Sequence, residues 1–179
     1  MHNLHETVAL LARTPPALNA LLRDLPETWT RRNEGEGTWS PLIIVKHLIH
    51  TERSNWMVRV NAILRDGESK VFESLDREGN QHENQDQPLE HWLDEFAGLR
   101  GASLDQLRML NLQPEDLERR GRHPVFGVVT LSQLLATWAT HDLTHLHQLS
   151  RVMAHQYREA VGPWSVYLGV LQCSGHSSE

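Results

Sequence analysis

The stretch WATHDLTHLHQLSRV, residues 138–152, decides the fold, because it sets three histidines among apolar residues at helical spacing. Steps of three and four from Leu131 give one stripe: Leu131, Leu134, Trp138, His141, His145, Gln148 and Val152. Such a stripe lies on a single helix face and packs against the core. We therefore predict that His141 and His145 point inward, whereas His147 falls off the stripe and is solvated.

The spacing of His141 and His145 has two interpretations. Residues four apart lie about one helical turn, or roughly 6 Å, from each other, so both rings can reach one point. Imidazole nitrogens bind zinc, nickel, copper and iron, so the pair is half of a metal site. A buried histidine is otherwise a core residue that hydrogen-bonds a carbonyl. The pattern of this one helix leaves both interpretations open.

An upstream segment offers a second source of inward-facing imidazoles. Ser40 and Pro41 are typical of an N-cap and first helical residue, and the helix should continue to about Arg65. Its core-facing stripe is predicted to contain Ile43, His47, His50, Ser54 and Met57. His47 therefore faces the pair on the other helix. His50 is a fourth ligand, a residue that supports the ligands, or a residue at the edge of the core.

The remaining segments predict an all-α protein. Helices are expected from Leu4, with a break at Pro15 and Pro16, from Pro88 to before Pro114, and from Thr130 to about Tyr157. Residues 68–87 and 114–127 are polar or glycine-bearing and are predicted to be connections, and no segment alternates as a strand does. We predict one domain, residues 1–179, folded as an antiparallel four-helix bundle.

Composition narrows the classes of partner. The formal net charge is −6 and basic residues form no run, which argues against nucleic acid. A single cysteine, Cys173, excludes an internal disulfide framework and favours a reducing compartment, and no segment approaches the roughly 20 apolar residues of a membrane span. We expect a cytoplasmic protein with a small-molecule substrate and no membrane partner. The sequence leaves a homodimer open.

Three segments resemble the DinB-like four-helix bundles, a group that includes YfiT-type thiol transferases and the metal-binding domain of mycothiol-dependent maleylpyruvate isomerase. They are GTWSPLIIVKHLIHTERSNWMVRV at 37–60, HPVFGVVTLSQLLATWATHDLTHLHQLSRV at 123–152 and QYREAVGPWSVYL at 156–168. The resemblance implies an up-down-down-up bundle with a long crossover at 68–87. It also implies that His47, in an HL pair, and the HxxxH histidines His141 and His145 hold a divalent metal. Many relatives have an aspartate or another polar residue where His50 stands.

The resemblance implies a metal-dependent enzyme, either a hydrolase or a low-molecular-weight-thiol S-transferase. We expect zinc or nickel as the metal. His50 and Asp142 are the candidate catalytic residues for proton transfer. Asp142 either orients a ligand imidazole or is a surface carboxylate paired with an arginine. The rival hypothesis is a non-catalytic metal-binding or sensing bundle. An open coordination position favours catalysis, whereas four protein ligands favour a structural ion.

Overall fold

A computed structural model of the chain describes residues 3–74 and 87–173. Within these ranges the chain forms eight α-helices and one β-hairpin. The helices are α1 (Leu4–Leu11), α2 (Thr14–Leu22), α3 (Glu27–Thr30), α4 (Pro41–Ser54), α5 (Trp56–Asp66), α6 (Leu89–Met109), α7 (Pro114–Leu117) and α8 (Leu131–His155). Strands β1 (Arg120–His123) and β2 (Gly127–Thr130) form the hairpin, and short 3₁₀ turns follow α5 and α8. Among the described helices, none has the length and apolar content needed to cross a bilayer.

The helices that carry the histidines begin at the predicted caps. The Ser40 hydroxyl accepts the Ile43 N–H at 3.4 Å, and Pro41 occupies the first turn of α4. At the start of α8, Thr130 Oγ1 accepts the Gln133 N–H at 3.1 Å, and Gln133 Oε1 accepts the Thr130 N–H at 2.9 Å. This reciprocal pair is a capping box, which satisfies donors that a helix end leaves open. The two histidine-bearing helices are thus fixed at their N-termini by local sequence.

The apolar core has two clusters, one toward each end of the bundle, and the order in which a helix passes through them gives its direction. One cluster joins α2, α4, the first half of α6 and the end of α8, and the other joins α1, α5, the second half of α6 and the start of α8. Helices α1, α2 and α8 therefore run one way, and α4, α5 and α6 run the other. This confirms the predicted four-helix bundle in up-down-down-up order. The connection predicted at 68–87 joins two parallel helices, and its residues 75–86 lie outside the described ranges.

The second long helix differs from its prediction in two ways. It is interrupted at Asn55 (φ −118°, ψ −65°), so that α4 ends at Ser54 and α5 begins at Trp56. Ser54, predicted on the buried stripe, is exposed. The burial of α4 is instead nearly continuous from Pro41 to Ile49, because α4 packs against both α6 and α8. A helix with neighbours on two sides does not show a single apolar stripe.

The prediction that no segment forms a strand was wrong. The prediction that residues 114–127 are an irregular connection was also wrong, because they contain α7, β1 and the start of β2. Strands β1 and β2 pair antiparallel from Arg120 with Thr130 to His123 with Gly127, and Gly127 has a φ of +71° in the turn. Gly121 lies so close to Phe72 and Ile63 that a Cβ would come within 2.6 to 2.7 Å of their side-chain atoms. Four-residue strands are too short to display alternation in the sequence, so only tertiary packing reveals them.

Candidate metal centre

Three histidines from two helices converge inside the bundle. His47 on α4 and His145 on α8 are 8% and 2% exposed, and His141 on α8 is half-buried. Their potential ligand atoms all lie within 4.8 Å of one another. His141 Nε2 is 3.2 Å from the Nε2 atoms of both His47 and His145. The two HxxxH rings and the facing ring thus present nitrogens to one common point.

The spacing of these nitrogens fits a divalent ion. Two nitrogens that bind one tetrahedral zinc at about 2.0–2.1 Å lie about 3.3 Å apart. The observed 3.2 Å separations match this value. A neutral imidazole has one N–H, so the Nε2 atom of His141 cannot donate separate protons to both neighbours. A shared cation would satisfy all three lone pairs.

Burial lowers the pKa of the two histidines on α8, which favours the neutral form that metals require. Desolvation lowers the pKa of His141 to about 2, and repulsion from His145, His47 and Arg100 acts in the same direction. Desolvation also lowers the pKa of His145, opposed by the hydrogen bond that His145 donates to Gln148 and by the charge of Asp142. Since protons compete with metals for imidazole, a ring that stays unprotonated at neutral pH is ready to ligate.

Gln148 orients one of the rings. His145 Nδ1 lies 2.8 Å from Gln148 Oε1, one turn further along α8. An amide oxygen only accepts, so Nδ1 carries the proton and the lone pair is on Nε2, which faces the other histidines. A second polar group that fixes the tautomer in this way is usual for metal-ligating histidines.

Tryptophans form apolar walls around the three rings. Trp39 stacks on His145 with centroids 5.9 Å apart and an interplanar angle of 12°, and its centroid is 4.7 Å from that of His47. Trp56 meets His141 edge-on at 5.1 Å and stacks on Trp138 at 5.7 Å. These contacts restrict rotation of the imidazoles and lower the local dielectric, which strengthens electrostatic interactions at the centre.

Asp142, a candidate catalytic residue, pairs with Arg100 and Thr14 in the core and not with a clustered histidine. Its carboxylate is 2% exposed and accepts hydrogen bonds from Arg100 at 2.5 and 3.0 Å and from the Thr14 hydroxyl at 2.5 Å. Of the two roles considered for it, the structure shows the pairing with an arginine, but in the core and not on the surface. His145 instead donates its orienting hydrogen bond to Gln148 Oε1.

Arg100 organises a buried ion cluster that the sequence analysis missed. Its guanidinium, on α6, also donates to Glu52 Oε2 on α4 at 3.1 and 3.0 Å and to the Leu11 carbonyl on α1 at 3.0 Å. The side chain is 1% exposed. One signal was available: Arg100 stands four residues after Phe96 and four before Leu104, on an otherwise apolar stripe. A charge at such a position requires buried partners.

His50 lies outside the three-histidine cluster. It is half-buried and lines a cavity of about 440 Å³ whose described walls contain none of the three clustered histidines. Ser54 and Arg59 share this wall. A catalytic role for His50 therefore remains a prediction. His147 is exposed, as its position off the stripe predicted.

Residues 10–149 match the model of the DinB superfamily, and the chain belongs to that superfamily. The fold is similar to that of YfiT from Bacillus subtilis, described as a probable metal-dependent hydrolase with an unusual four-helix bundle topology. The TM-score is 0.72 at 18% identity, covering 88% of this chain and 87% of that chain. TT2238, a four-helix bundle protein, aligns with a TM-score of 0.48 at 19% identity over 82% of this chain and 95% of that chain. No curated protein sequence matches the chain.

Proposed function

We propose that this member of the DinB superfamily is a divalent-metal-dependent enzyme of the cytoplasm that acts on a small molecule. His47, His141 and His145 hold the ion, with zinc or nickel as the metal suited to an all-imidazole set. The observation that carries the proposal is the convergence of their Nε2 atoms at 3.2 Å separations within apolar walls.

The number of ligands favours catalysis over a structural ion. Structural zinc is held by four protein ligands, whereas catalytic zinc has three and an open position. In the described part of the chain the cluster has three members, and Asp142, adjacent to His141 in sequence, is engaged by Arg100 and Thr14. His141 is the most exposed of the three, so we place substrate entry on its side.

The residues around the centre have separate tasks in this proposal. A bound divalent ion supplies Lewis acidity, which yields a nucleophile from water at neutral pH or stabilises a thiol as its thiolate. Gln148 holds the His145 tautomer, and Trp39 and Trp56 exclude bulk water. Asp142 is poorly suited to proton transfer because Arg100 and Thr14 occupy its oxygens. A role for His50 in proton transfer would require a substrate that reaches from the metal to the cavity that His50 lines, one turn along α4 from His47.

Two reactions fit this centre. Hydrolysis is supported by the description of YfiT, whose fold the chain shares, and transfer of a low-molecular-weight thiol is supported by the resemblance to thiol transferases. Both reactions need the same three imidazoles and an open coordination position. They differ in the nucleophile, which is water in one and a thiol in the other.

The test begins with elemental analysis of the purified protein. Zinc- and nickel-loaded samples are then assayed for hydrolysis of an ester and amide panel and for thiol transfer to a soluble electrophile. Activity should disappear in His145→Ala and persist in His147→Ala, because His147 is exposed two residues from the centre. A protein that retains one ion per chain but lacks both activities would support the non-catalytic bundle instead.

A further inference from the structure

The cavity that His50 lines has a distinctive charge pattern. It lies between the outer face of α5 and residues 70–74, and its volume of about 440 Å³ is within the range of small-molecule pockets. Its described walls carry the cations Arg59, Arg65 and Lys70 and the carboxylates Asp66 and Glu73. Positive side chains thus outnumber negative ones here, in a protein whose formal net charge is −6.

Arg59 and Arg65 differ in how their charges are compensated. Two nitrogens of Arg65 donate to the carboxylate of Asp66 at 2.8 and 2.6 Å. Arg59 is half-buried with its guanidinium carbon 5.4 Å from the Phe72 ring centroid, and no carboxylate of the described ranges pairs with it. Burial lowers the pKa of Arg59, which reflects its partial removal from water. A desolvated guanidinium without a counter-charge is unfavourable, so an external anion would stabilise it.

We propose that this cavity binds a small organic anion whose carboxylate or phosphate pairs with Arg59. The planar guanidinium offers two parallel N–H donors, a geometry that both groups accept. Phe72, Val58 and Ala62 supply an apolar surface for the body of the ligand. The Phe72 ring also holds the guanidinium plane in place, so the site is largely preformed. The site is separate from the three clustered histidines and does not depend on a bound metal.

Calorimetric titration of the full chain with benzoate and with phenyl phosphate tests the proposal. At least one should bind saturably with a Kd of about 1 mM or tighter, and the tighter of the two identifies the preferred anionic group. Benzamide has a similar shape without the charge and should bind more weakly. Absence of saturable binding of both anions, or benzamide binding as tightly as they do, would overturn the proposal.

Three variants locate the site. Arg59→Gln should weaken anion binding by about 10- to 100-fold, the effect of losing a charge-assisted pair. Arg108→Gln is the matched control, because Arg108 is exposed on α6 and pairs with Asp105, and it should bind like the wild type. Val58→Glu places a negative charge on the same wall at a residue that is 52% exposed, and it should also weaken binding without disturbing the core. Unchanged affinity in Arg59→Gln or in Val58→Glu would refute the assignment.

Discussion

The bundle contains two buried clusters of polar side chains, each with members on α4 and α8. They differ in how their charges or lone pairs are satisfied. In the ion cluster, Arg100 faces Glu52 and Asp142, so opposite charges neutralise one another inside the protein. In the metal centre, three imidazoles direct their Nε2 atoms toward one another. The charges of the first group are compensated within the chain, whereas in our proposal a divalent cation satisfies the lone pairs of the second. A self-complementary buried cluster holds helices together, and an incomplete one binds a ligand.

The two groups are also electrically related. The ion cluster itself contains two carboxylates and one guanidinium, and Lys46 on α4 is also buried in the bundle. The charge of Asp142 acts on His145 in the direction that favours a positive ring, and Arg100 acts on His141 in the opposite direction. The charges of the ion cluster thus act in opposite directions on the two histidines of α8, and the cluster supports the metal centre through the positions of α4, α6 and α8.

The largest effect should follow from removal of a ligand. His47→Ala, His141→Ala and His145→Ala should each lose most of the bound metal while retaining helix content, because each removes one of three nitrogens. Elemental analysis and circular dichroism measure the two quantities.

His50→Ala is the matched comparison on α4, and it should keep its metal because His50 lies outside the cluster. If His50→Ala abolished metal binding while His47→Ala was tolerated, the ligand on α4 would be assigned one turn too early.

Arg100→Met should have the next largest effect, this time on stability. It leaves Glu52 and Asp142 buried without their common counter-charge, and loss of one partner from a buried pair lowers the free energy of unfolding by about 3–5 kcal/mol. Urea denaturation measures the change. Arg108→Met, which removes an exposed ion pair, should alter stability little. Equal stability of the two variants would show that the cluster does not hold the bundle together.

Gln148→Leu should have an intermediate effect on the metal centre. The variant removes the oxygen that accepts the hydrogen bond from His145 Nδ1. Loss of a hydrogen bond that orients a metal ligand lowers metal affinity by about 10- to 100-fold. Competitive titration with a zinc chelator measures the affinity. Gln106→Leu, at an exposed position on α6, is the control. If both variants bound zinc like the wild type, another group would have to orient the His145 ring.

The last effect concerns the pH dependence of stability in the metal-free protein, and per pH unit it is the smallest of the four. Folding lowers the pKa of His141 to about 2, whereas an unfolded histidine titrates near 6.5. Below about pH 6.5 the unfolded chain therefore binds protons that the folded chain does not, and stability falls by up to about 1.4 kcal/mol per pH unit for this residue. Urea midpoints of the metal-free protein between about pH 6.5 and 4 should fall more steeply than those of His141→Asn. Parallel slopes would contradict the neutral buried state of His141.

Much of the fold and of the centre could be predicted because the signals are local. Caps at Ser40 and Thr130 and the four-residue spacing of His141 and His145 depend only on neighbours in the chain and on the helical period. The same helical period predicted that His47 lies on the face of α4 that is turned toward His141 and His145. The break at Asn55 and the exposure of Ser54 were missed, since helix contacts on two sides of α4 replaced a simple stripe.

The sequence by itself determined where the two helices that carry the clustered histidines begin and that His141 and His145 share a face. Only the tertiary structure decided that Asp142 pairs with Arg100 and not with a ligand imidazole, that Trp39 and Trp56 enclose the centre, and that β1 and β2 pair. A helical face specifies a direction but not the partner opposite it. The partner depends on the axial offset and rotation between helices, and these are set by the packing of the whole core.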